Sequence, residues 1–173
     1  MHGDWTQQLN AWHEFFVLTG TAGAALTGLL FVVVTLGLRV VARDRTTGVR
    51  AFLSPNVVHF TATLVVSAVC LVPDPSPIVV GALLCAGSIG ALVYLATTRA
   101  HQTWRRNKLP FLDWIWFVAA PVASYGLLLL AGLGFFWWAA LSMYGVAVAV
   151  VLLLVVGLRN AWDIVIWMSR EDL

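Results

Sequence analysis

The sequence predicts an all-α, polytopic membrane helix bundle of five transmembrane helices forming a single domain over residues 1–173. Three observations carry this prediction. Long apolar runs without charge dominate the chain: 61% of its residues are hydrophobic and only 10% are charged, against about 25% charged in an ordinary soluble domain. All ten Lys and Arg fall in three clusters after residue 38, at Arg39 to Arg50, at Arg99 to Lys108, and at Arg159 with Arg170. The nine tryptophans stand near the expected helix ends, as interfacial belts require.

The elements follow in order. Residues 1–14 are expected to lie at the membrane interface or to extend the first span outward. Asp4 and Gln7 form a capping-box-like pair, and Trp5, Leu9, Trp12 and Phe16 share one helical face. The first span, residues 15–38, carries Gly20, Gly23, Ala24, Thr27 and Gly28 within an arc of about 140° at ~100° per residue. Small residues on one face let another helix approach closely in lipid. Ser54-Pro55 reads as a helix start for a second span over residues 55–72. Pro73-Asp74-Pro75-Ser76-Pro77 reads as a tight turn into a third span, residues 77–98. Pro110 opens a fourth, residues 111–131, which Pro121 should kink. Gly132-Leu133-Gly134 is the expected reversal into a fifth, residues 135–158. Residues 159–173 form a cytoplasmic tail.

Five spans place every Lys and Arg on one side. The positive-inside rule makes that side cytoplasmic, with the N-terminus outside.

Residues Trp12-His-Glu-Phe-Phe lead into Gly20, Ala24, Ala25, Leu26, Gly28, Leu29 and Phe31-Val32. This stretch resembles the opening of a group of small bacterial multi-pass membrane proteins with a W-x-x-F-F, small-residue, G-L-x-F-V pattern. The resemblance covers about forty residues. It implies a bacterial inner-membrane location and brings no activity or catalytic residue.

Candidate chemistry concentrates on the second span. Asn56, His59, Thr63, Ser67 and Cys70 fall within an arc of about 80°. A polar stripe facing lipid is costly, so it should face other helices or a water-filled path. Its functional reading is a pore or proton relay with His59 as the titrating member; its structural reading is interhelical hydrogen bonding. Asp113 is a further relay candidate that could meet His59 or Arg159. Arg159, Asn160 and Asp163 are expected to form an inner-rim network, and His13 with Glu14 an ordinary interfacial pair. Cys70 and Cys85 read as small buried hydrophobes. No catalytic, phosphate-binding or metal-binding motif is present, so no enzyme activity, cofactor, metal or nucleic-acid partner is expected.

Two functions are consistent with this pattern. One is a homo-oligomeric, channel-like protein passing protons, ions or a small solute along the stripe. The other is a non-catalytic accessory or regulatory subunit of a larger membrane complex, such as a protease or respiratory assembly.

Overall fold

The computed structural model describes residues 2–41, 47–103 and 114–170. Among them the chain is helical and no strand occurs. Four helices are long and apolar enough to cross a membrane: Trp5–Val33, Pro77–Thr97, Ile115–Gly134 and Ala139–Asp163. Pro55–Cys70 is a shorter apolar helix.

The first helix, α1 (His2–Val41), runs unbroken for 40 residues. Residues before Phe15 therefore extend the span rather than forming a separate segment. Their aromatic face explains this. Trp5 Nε1 donates to the Pro75 carbonyl at 2.7 Å, Trp12 meets Tyr144 edge-on at 4.9 Å, and Phe16 is buried.

The second helix, α2 (Thr47–Cys70), begins before Ser54-Pro55 and carries Pro55 inside it. The expected start at that dipeptide is thus corrected. Proline removes an N–H and crowds the carbonyl of residue 51. A single lost bond bends a helix, whereas unpaired backbone in an apolar setting costs far more, so the helix continues.

The turn after α2 holds Asp74 at φ 46°, a left-handed conformation that Asp tolerates better than most residues. Ser76 then accepts the Val80 N–H at 3.0 Å and α3 (Pro77–Thr103) begins. Helix thus persists beyond residue 98, into the expected basic loop.

A π-helical turn, Ile115–Ala119, leads into α4 (Ala120–Gly134). Pro121 follows one residue after it and cannot donate back to residue 117. A widened turn is how a helix accommodates such a gap.

Gly132 and Gly134 do not reverse the chain; they are the last turn of α4. Their role is close approach. A Cβ on Gly132 would meet Cys85 Sγ at 2.8 Å, and one on Gly134 would overlap Ser142 Oγ. Four aromatics, Phe135 to Trp138, make the reversal, closed by Trp138 N–H to the Gly134 carbonyl at 2.7 Å. The last helix, α5 (Ala139–Arg170), absorbs both the fifth span and most of the tail.

Neighbouring contacts fix the helix directions. Gly20 faces Ser67 and Gly23 faces Phe60, so α1 and α2 are antiparallel. Gly81 faces Gly132 while Cys85 reaches Leu129, so α3 and α4 are too. Gly134 faces Ser142 and Gly145 faces Ala131, which sets α4 against α5. Trp12 on Tyr144 puts the starts of α1 and α5 at one end. At this turn end lie the two reversals; at the opposite, basic end lie Val41, Thr47, Thr103 and Arg170. The middle of the bundle is filled by Phe16, Phe60, Tyr125, Met143, Val146, Val150 and Leu153. Leu18, Phe31, Ile78, Leu83, Leu130, Leu141 and Leu158 point outward, as a lipid-facing surface requires.

The five small residues of α1 divide. Gly20 and Gly23 pack on α2, where a Cβ at 23 would lie 2.9 Å from the Phe60 carbonyl oxygen. Thr27 donates to the Gly23 carbonyl at 2.8 Å. Ala24 and Gly28 are exposed, and Gly28 has open space beside it.

Candidate functional site: a buried polar column

The stripe on α2 points into the bundle. Asn56, His59 and Thr63 are fully covered, Ser67 is 1% exposed and Cys70 is 5% exposed. This follows from the position of α2, which packs against α1 on one side and α5 on another. A face with five polar or small residues at helical spacing is thereby held between helices and away from lipid.

Each rung has its own partners. His59 Nδ1 lies 2.9 Å from the Tyr125 hydroxyl, and the two rings tilt 44° at 5.7 Å. Either group can donate, because a neutral imidazole nitrogen and a phenol hydroxyl can exchange roles. Thr63 Oγ1 donates to the His59 carbonyl at 3.1 Å. Ser67 Oγ and Thr19 Oγ1 are 3.0 Å apart. Thr19 Oγ1 also lies 3.0 Å from the Phe15 carbonyl. With that carbonyl accepting the single Thr19 proton, Ser67 is the donor to Thr19.

The basic end of the column differs. Asn56 and Asn160 are 0% and 1% exposed, and neither amide oxygen nor amide nitrogen has a hydrogen-bond partner among the described residues. Their levels can be compared through the Phe60–Gly157 contact, where a Cβ on Gly157 would lie 2.5 Å from the Phe60 ring. Asn56 stands four residues before Phe60 and Asn160 three residues after Gly157. Because α2 and α5 run oppositely, both amides lie about 4.5–6 Å from that contact toward the basic end. Ser88 is also covered and its hydroxyl unpartnered. One turn beyond Cys85, it reaches the level of Tyr125.

The expected inner-rim network separates into two parts. Arg159 and Asp163 pair at 2.6 Å on the half-exposed side of α5, with Arg159 6.0 Å above the Trp116 ring. Asn160 turns inward and bonds to neither. At the helical pitch a neighbour is rotated about 100°, so 160 cannot share a face with 159. Asp113 lies outside the described residues. His13 and Glu14 are 3.8 Å apart and largely exposed at the turn end.

Sequence reasoning missed Tyr125, Thr19 and the inward turn of Asn160. Tyr125 left one signal: a tyrosine inside an expected span, six residues from its nearer end, needs a hydroxyl partner once buried. Among the described residues no group of three His, Cys, Asp or Glu could hold a metal ion. No family model matches the chain, and no curated protein or solved structure does either.

Proposed function

We propose that this chain is a five-span protein of a bacterial inner membrane that relays protons through the interior of each protomer. The observation supporting it is the buried column from Asn56 and Asn160, past His59–Tyr125 and Thr63, to Ser67–Thr19. Its side chains are covered by protein atoms, an arrangement that suits a proton better than a hydrated ion or a solute. A proton needs none: hydroxyl, imidazole and amide groups pass it by exchanging donor and acceptor roles. His59 is the member whose ordinary pKa lies near physiological pH.

The five-span reading draws on α2. Its uncharged helical stretch after Arg50, residues 51–70, extends about 30 Å, the thickness of a ~30 Å hydrocarbon core. Described helices put Arg39, Arg50, Arg99, Arg159 and Arg170 toward one end of the bundle, so that end is assigned to the cytoplasm and the N-terminus to the outside. The outward Ala24 and Gly28 suit contact with a second copy, and the working form is a homo-oligomer.

Proteoliposomes carrying a trapped pH dye test the relay. Under an imposed gradient the wild type acidifies faster than empty vesicles. His59→Ala abolishes the difference, and His59→Gln, which keeps a group able to bond Tyr125 but cannot titrate, does the same. Tyr125→Phe slows the flux. Wild-type vesicles no leakier than empty ones would sink the reading.

A further inference from the structure

The unpartnered amides have a consequence for how the column could be entered. Asn56 and Asn160 present two acceptors and two donors that no described group meets, all closed over by packing. Neutral amides buried in this way favour any conformation that hydrates them. Directly beside them, toward the turn end, Phe60 fills the notch at Gly157, one turn from Asn56 on the face that carries the stripe. Directly beside Asn56 in sequence is Pro55, which breaks one backbone bond of α2 and gives that helix a place to bend. Unmet polar capacity, an aromatic seated against a glycine, and a helix break thus lie within about two turns of one seam.

We propose that the α2–α5 seam is a gate at the basic end: its Asn56–Asn160 level is a hydration site, closed here, that fills when α2 and α5 part, with Phe60 on Gly157 as the plug. The proposal rests on the relay reading for its purpose, and its test is independent of proton flux. Parting α2 from α5 at this level can leave the Thr19–Ser67 contact made, because Ser67 lies three turns farther along α2 toward the turn end. The guest is water, since amides carry no charge to select an ion and offer donors and acceptors in equal number.

The experiment is thiol accessibility in reconstituted protein. Cys70 and Cys85 are first replaced by Ala. Asn160→Cys and Leu153→Cys, both at covered positions of α5, are then exposed to a membrane-impermeant methanethiosulfonate. Asn160→Cys reacts about tenfold faster or more, as expected if its level opens with ~1.4 kcal/mol less effort than Leu153. Adding Phe60→Ala accelerates Leu153→Cys as well, because the plug is gone. Thermal midpoints of the same proteins verify folding, and Asn160→Leu, which removes an unmet amide, raises the midpoint. Equal, negligible labelling of Asn160→Cys and Leu153→Cys in folded protein would overturn the gate, as would Asn160→Leu lowering the midpoint. If vesicles conduct no protons yet Asn160→Cys labels selectively, the relay fails and the gate stands.

Discussion

The two seams that α2 makes, one with α1 and one with α5, are built from the same kinds of residue and used differently. On the α1 side, Gly20 and Gly23 bring the backbones together, and the polar side chains there are bonded, Ser67 to Thr19 and Thr19 to its own helix. On the α5 side there is again a glycine, Gly157, but it receives a phenylalanine ring rather than a backbone. The polar groups next to it, Asn56 and Asn160, find no partner among the described residues. In lipid a bonded interhelical pair is worth only ~0.6 kcal/mol on average, whereas an unmet buried group costs about 1–3 kcal/mol. The first seam therefore reads as permanent packing. The second holds a cost in its closed form, which is what a seam that opens requires.

The comparison is broken most severely at Gly23. A Cβ there meets the Phe60 carbonyl oxygen and, at 3.2 Å, the Leu64 nitrogen, both backbone atoms of α2. They cannot yield without moving the helix, so Gly23→Ala should lower stability by about 1–3 kcal/mol. The equivalent change at Gly157 meets only the ring of Phe60, which can swing, and should cost less. Thermal unfolding in detergent, followed by the fluorescence of the nine tryptophans, measures both. Equal losses at the two glycines would erase the distinction between the seams.

Asn160→Leu comes next and has the opposite sign. Removing the amide and filling its volume should raise stability by about 1–2 kcal/mol, since the closed state loses an unmet polar group. Ser67→Ala on the other seam should lower it by only ~0.6 kcal/mol, because Thr19 still bonds the Phe15 carbonyl. A double-mutant cycle of Ser67→Ala with Thr19→Ala, read by the same unfolding, isolates the pair. A coupling energy near zero would remove the bonded seam's polar contribution altogether.

Much of this arrangement was legible in the residues. The stripe on α2 follows from helical spacing alone, and its inward orientation from the cost of facing lipid. The turn at residues 73–77 was readable from proline chemistry, and the irregular turn before Pro121 is of the kind that chemistry leads to expect. Other features were hidden for physical reasons. Gly132 and Gly134 look like a reversal, yet glycine also serves close helix packing, and only the partner helices, α3 at Gly132 and α5 at Gly134, decide between the two. Pro55 looks like a helix start because Ser54 can cap, but a cap is not needed where the helix has already begun. Arg159, Asn160 and Asp163 look like one cluster in sequence. Their 100° steps divide them between the surface and the interior, and which side faces inward depends on α2.

The smallest expected effect addresses the outward half of the small-residue face. Gly23 and Gly28 stand at the two edges of the small-residue arc of α1, and Gly28 has nothing within 4 Å of an added Cβ. Within one protomer Gly28→Ala should therefore raise stability by about 0.5–1 kcal/mol, the ordinary gain in helix propensity. If a second copy packs there, the same methyl lies in its path, and the larger Gly28→Leu should separate the copies. Native mass measurement in mild detergent discriminates the cases. A homo-oligomer that persists in Gly28→Ala and dissociates in Gly28→Leu assigns the outward face to the contact between copies. An oligomer unaffected by either change places that contact on another surface, and a wild type found only as a monomer removes the homo-oligomer while leaving the column and its gate, which lie within one chain, untouched.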